Sequence, residues 1–164
     1  MKTLQAWADQ ASQFCVTMAK GLIFLFMGGI SVVIIAQVFS RYVLGSSISW
    51  SEELARYLMI WMALVGASVA VRQGAHVGVT LLVERLSPRI RPWVLLLGKA
   101  VIAVFLFVVI REGITLGAFF TSQKSPAMEI SMLWAYSGFF VAGIFMIVHL
   151  LHLVLGDLEQ IRKK

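Results

Sequence analysis

The sequence predicts an all-α membrane protein: four transmembrane helices, an N-terminal amphipathic interfacial helix and a short interfacial helix in the second loop. Three observations lead there. The 164 residues are 60% hydrophobic and 13% charged, where a soluble domain is nearer half apolar and a quarter charged. Four separate stretches are apolar over the length that crosses a bilayer, about 20 residues. The charged residues gather in the gaps between those stretches rather than on one face of each.

The spans run from about 21 to 39, 54 to 71, 93 to 110 and 131 to 155, within a single transmembrane domain over 1–164. Two of them carry a cation. Arg56 lies within a turn of a span end and Lys99 about two turns in, both close enough for the long side chain to reach the interface. Before the first span, Leu4, Trp7, Ala8, Ala11, Phe14, Cys15 and Met18 recur at helical spacing, with Gln5, Asp9, Gln10, Ser12, Gln13 and Thr17 between them. This pattern predicts an amphipathic helix lying in the headgroup layer before the chain turns into the bilayer. The first long apolar run begins only at Gly21 and ends in no cleavage pattern, unlike a secretory signal.

In the second loop Val79, Leu82, Val83, Leu86 and Ile90 form another stripe, flanked by Arg85 and Arg89 and interrupted by Pro88 and Pro92. A short helix followed by a turn is expected there. After the third span, Arg111 and Glu112 interrupt the apolar pattern, which resumes from Ile114 to Phe120 before Ser125-Pro126. Two outcomes fit this segment, a helix that runs on beyond the bilayer or a hydrophobic loop on the outer surface.

The formal net charge is +6. The cations follow membrane topology and form no stripe of their own, which argues against nucleic acid as a partner. With four spans, the N-terminus, second loop and C-terminus share a side and hold Lys2, Lys20, Arg72, Arg85, Arg89, Arg91, Arg162, Lys163 and Lys164. The other side holds Arg41, Arg56, Arg111 and Lys124. Lys and Arg accumulate on the cytoplasmic side, so both termini are expected in the cytoplasm of a bacterial inner-membrane protein.

Chemistry-bearing constellations are sparse. A self-sufficient ion-coupled transporter usually places a carboxylate at mid-membrane. Here Asp9, Glu52, Glu53, Glu84, Glu112, Glu129, Asp157 and Glu159 all fall in loops or near span ends. His149 and His152 sit three apart on one helix, so they share a face and cannot ligate opposite sides of one haem; a di-metal pair at that spacing needs facing carboxylates. Cys15 is the one cysteine and reads as a small buried hydrophobe. No catalytic, cofactor-binding or metal-ligating residue is assigned and no cofactor is expected. A subunit of a larger transporter is favoured over a self-sufficient small transporter or channel, and both over a membrane cytochrome.

The densest polar run is Arg41 to Arg56. Ser49-Trp50-Ser51-Glu52 fits a capping box with Ser49 as N-cap, and Arg56 lies four residues after Glu52 and three after Glu53, within reach of either carboxylate. Trp50 suits the membrane interface. The run is expected to start a helix, and Glu52 and Glu53 are candidates for partner docking. Ala63, Gly66, Ala67 and Ala70 on the second span, and Gly138 and Ala142 on the fourth, predict close helix packing within the bundle.

The order of these motifs resembles the small membrane subunit of the TRAP transporters, the DctQ-like family. The residues that carry the resemblance are Arg41-Tyr42, Ser49 to Tyr57, Gly66-Ala67, Val71-Arg72 through His76-Val77, Thr80 to Pro88 and Ser125-Pro126. It covers about Gly21 to Leu155. The resemblance implies a three-part uptake system with two protein partners, a large TRAP membrane subunit (M subunit) and a periplasmic substrate-binding protein (P subunit), besides membrane lipids. Sodium-coupled elevator movement in the large subunit would carry an organic acid such as a C4-dicarboxylate or sialic acid, and the small subunit would extend the static scaffold. The candidate docking or structural residues are then Arg41, Trp50, Glu52, Glu53, Arg56, Arg72 and His76.

Overall fold

The computed structural model describes residues 2–73, 86, 87 and 90–162. Four helices follow one another: α1 (Lys2–Tyr42), α2 (Ser51–Arg72), α3 (Arg91–Phe120) and α4 (Leu133–Arg162). Each is long and apolar enough to cross a membrane, and no strand longer than a single bridge occurs among the described residues. The helices alternate in direction. The start of α1 therefore meets the ends of α2 and α4 at one end of the bundle, here the terminal end, while the α1–α2 and α3–α4 connections share the other, the loop end.

The segment expected to lie apart as an interfacial helix is instead the first half of α1, which runs unbroken for 41 residues, about 60 Å at 1.5 Å per residue. No proline or other helix breaker separates it from the apolar run, and its other face is buried. Ser12, Cys15, Val16 and Ala19 are buried, and α1 packs on both α2 and α4. Trp7, Ala11, Phe14 and Met18 form a separate stripe at helical spacing that faces outward, with Trp7 72% exposed. The stripe predicted for the second loop, including Arg85 and Arg89, lies largely outside the described residues. Next to it, Ile90 and Arg91 donate to the Ser87 carbonyl, and Pro92 takes the second position of α3, where a missing N–H costs nothing.

Beyond Arg111 and Glu112 the helix runs on to Phe120, which decides between the two outcomes left open above. The extension is packed: a Cβ at Gly117 would lie 3.3 Å from the Phe140 ring of α4, and Phe120 stacks on Tyr136 at 4.1 Å. Among the described helices α3 touches only α4.

Small residues serve the bundle selectively. Ala142 is buried and a Cβ at Gly138 would lie 3.1 Å from the Trp61 ring, while the Trp61 indole donates to the Trp134 carbonyl at 3.1 Å. Ala63, Ala67 and Ala70 face outward instead, contrary to the packing expected of them. The buried stripe of α2 is set by Glu53, Val65 and Ser68, which turns those alanines away. Gly138→Val should therefore separate α2 from α4, costing about 1–3 kcal/mol as overpacking does. Lower thermal stability of the purified protein, with changed Trp61 fluorescence, is the expected result.

Candidate functional site

The loop end holds the predicted corner, rearranged by one residue. The N-cap of α2 is Trp50, without a side-chain capping bond, so the Ser49 capping box does not form. Buried Ser51 donates from Oγ to the Ile48 carbonyl at 2.7 Å. This later start places Glu53, not Glu52, at the third helical position. Both acids lie in the first turn, where the helix dipole favours negative charge.

The two carboxylates then separate in role. Glu52 is exposed; it accepts from Gln37 Nε2 at 3.0 Å and pairs with Arg41 at 3.7 Å, a solvated pair of small value. Glu53 is 8% exposed. One of its oxygens accepts from the Tyr57 hydroxyl at 2.5 Å. The other accepts from the backbone N–H of Ala127 at 2.7 Å and of Met128 at 3.2 Å. Arg56, expected to meet one of these acids, is exposed and forms no ion pair with either.

Glu53 thus anchors the α3–α4 connection. Within that connection Ser125 donates to Ile130 at 2.8 Å, Glu129 to Ser125 at 3.1 Å and Met132 to Gln123 at 2.9 Å, around a bridge between Lys124 and Ser131. Glu129 has φ 55°, a left-handed conformation that costs a non-glycine residue about 1–2 kcal/mol. Across the corner, Gly45 at φ +67° turns the α1–α2 connection, closed by Ser40 Oγ donating to the Ser46 carbonyl at 2.8 Å.

At the terminal end a second polar cluster joins three helices. Arg72, the last residue of α2, donates to Ser12 Oγ, to Gln13 Oε1 at 2.9 Å and to Asp9 Oδ1 at 3.3 Å. His149 of α4 is fully buried, with Nδ1 2.8 Å from Ser12 Oγ. His152 Nε2 lies 3.6 Å from Asp9. His76, the remaining candidate, falls outside the described residues. Lys99, expected to reach the interface, is paired instead: its ammonium donates to Asp157 at 2.5 Å and to the Leu153 carbonyl at 3.1 Å. Sequence reading identified Arg72 only through a family resemblance and missed Ser12, Gln13 and Asp157 as partners. The helical spacing of His149 and His152 was the one local signal.

Two cavities among the described residues lack the chemistry to hold an anionic solute. One, of about 360 Å³ near the loop end, is lined by apolar and aromatic side chains including Phe26, Tyr57, Trp61 and Trp134; it lacks the few placed polar groups that orient a ligand. The other, about 550 Å³ and open, is lined by Gln5, Ala6, Asp9, His152 and Glu159, two acids with no Lys or Arg. Among the described residues no group of three His, Cys, Asp or Glu is placed to hold a metal ion.

These features define a multi-pass helical membrane protein whose buried charged groups tie helices together at the two ends. Residues 30–160 match the family of Tripartite ATP-independent periplasmic transporters, DctQ component, and the chain belongs to it. It is similar to the sialic acid TRAP transporter small permease protein SiaQ of Vibrio cholerae, 30% identical over 126 residues, covering 74% of this chain and 70% of the relative. It is similar also to the C4-dicarboxylate TRAP transporter small permease protein DctQ of the same organism, 34% identical over 87 residues, or 53% of this chain and 38% of the relative. A third match, 36% identical over 94 residues, is to the sialic acid TRAP transporter permease protein SiaT of Haemophilus influenzae, covering 57% of this chain and 15% of that protein. The chain thus spans well under half the length of some relatives it matches. The family and the four spans together make it a multi-pass inner-membrane protein.

Proposed function

We propose that this chain is the non-enzymatic scaffolding subunit of a TRAP uptake system for a small organic acid. It forms a single transmembrane domain over 1–164, with spans near 21–39, 54–71, 93–110 and 131–155 and both termini in the cytoplasm. A large membrane subunit beside it carries the substrate in sodium-coupled steps, and a periplasmic binding protein delivers it. C4-dicarboxylates and sialic acid, named for the relatives, share a carboxylate, which supports a small organic acid as the substrate class.

One observation carries this reading: the acids are placed to close the bundle at its ends. Glu53 holds a loop, Asp9 faces Arg72 and His152, and Asp157 neutralises Lys99. Between those ends the buried core is Val65, Ser68, Leu106 and Ala142, with no carboxylate among the described residues to bind a coupling ion. The outward apolar faces of α1 and α3 suit lipid and a membrane partner. Arg41, Trp50, Glu52, Glu53 and Arg56 would stand at the periplasmic surface, with Arg72 and His76 at the cytoplasmic one.

An affinity-tagged chain extracted from native membranes in mild detergent should bring the large permease with it in constant ratio. Elution of the tagged chain free of any large permease would contradict the scaffolding role.

A further inference from the structure

The terminal-end cluster has a hydrogen-bond direction that can be deduced. Arg72 is always a donor, so Ser12 Oγ accepts from it. The Ser12 hydroxyl hydrogen then needs an acceptor. Among the described residues none but His149 Nδ1 is in reach, at 2.8 Å; no carbonyl one turn back receives it, as Met27 does for Ser31. His149 Nδ1 must therefore carry a lone pair, which makes the ring neutral with its proton on Nε2.

We propose that Arg72, Ser12 and His149 form a proton-sensitive clasp, closed while His149 is neutral and loosened when it is protonated, that holds the first half of α1 against α2 and α4. A second proton on His149 turns Nδ1 into a donor facing a hydroxyl already occupied by Arg72. The Ser12 hydrogen loses its acceptor, and two cations then share one oxygen in a buried site, where such conflicts are costly.

The surrounding groups set the balance. Asp9 of α1 answers Arg72 and His152 together; Cys15 is buried along the same face of α1; Lys99 of α3 and Asp157 neutralise each other further along α4. No carboxylate contacts His149 itself among the described residues to compensate its charge. Two buried atoms, His149 Nε2 and His152 Nδ1, have no protein partner.

The sign follows from linkage. A histidine kept neutral in the closed form but free to protonate in the open one stabilises the clasp above its ordinary pKa of about 6.5 and weakens it as pH falls below that value. The test is hydrogen exchange on the full chain in lipid nanodiscs, corrected for the intrinsic pH dependence of exchange. Between pH 7.5 and 5.5, protection of amides 5–20 should fall by up to about tenfold, with α3 unchanged. His149→Asn, whose amide oxygen can accept from Ser12 without titrating, should abolish the fall, and His152→Gln should retain it. Nitrogen-15 spectra of the wild-type imidazoles at pH 7.5 should show His149 neutral and protonated on Nε2. An equal fall in His149→Asn, or a cationic or Nδ1-protonated His149 at pH 7.5, would overturn the proposal. Should His149→Asn fail to fold, the wild-type spectrum alone decides.

Discussion

Glu53→Ala is expected to remove most uptake by the assembled transporter while leaving four inserted helices. The carboxylate joins the start of α2 to the α3–α4 connection through the amides of Ala127 and Met128, and is itself held by the Tyr57 hydroxyl, which also reaches Met132 Sδ at 3.3 Å. Alanine leaves those amides and Glu129 at φ 55° without their anchor. Hydrogen bonds to a charged group are the stronger kind, so protection of the two amides should fall by about tenfold or more, and uptake should fall with the loop's order. Glu53→Gln keeps one acceptor oxygen but turns an amide donor toward the loop N–H groups, and should lie between. Glu52→Ala, which removes a solvated pair with Arg41, should change uptake by less than about twofold. Uptake rates in cells carrying each variant, beside amide exchange at 127 and 128, check both halves. Equal effects at positions 52 and 53 would return the corner to a surface of undifferentiated charge.

Lys99→Met should be more damaging to the fold than any single change at the loop end. Both members of the Lys99–Asp157 pair are largely buried, with side chains 16% and 15% exposed, and α3 has no other helical neighbour than α4 among the described residues. Removing one partner strands the other charge, which costs about 3–5 kcal/mol. Lys99→Met combined with Asp157→Leu removes both charges and should recover most of the loss. The measurement is thermal stability of the four chains of this double-mutant cycle in one detergent. Additive losses would show that the two side chains do not depend on each other.

The contrast between these sites and the helices shows what the sequence made legible. Four spans follow from apolar runs of bilayer length, because insertion into lipid is decided locally along the chain. The amphipathic period before Gly21 predicts a separate helix, yet nothing between Thr17 and Gly21 breaks α1. Arg111 and Glu112 leave open in the sequence whether α3 runs on, because exposed side chains at a helix end are compatible with more helix; the structure continues it to Phe120. The corner was found but shifted by one residue, because two serines flank Trp50 and only packing chooses between them; the shift exchanges the roles of Glu52 and Glu53. Ala63, Ala67 and Ala70 carry the small-residue pattern without the burial, since a local pattern cannot say which face of a helix its neighbours take. Lys99 with Asp157, and Ser12 with His149, are joined across more than 50 residues. Nothing in local spacing announces such pairs.

Transport by purified components distinguishes a scaffold from a carrier. Proteoliposomes should be prepared with this chain alone, with the large permease alone, and with both, each given the periplasmic binding protein loaded with substrate and an inward sodium gradient. No uptake is expected from this chain alone, and gradient-driven uptake is expected when both membrane subunits are present. Robust substrate uptake by this chain without the large permease would contradict the scaffolding role.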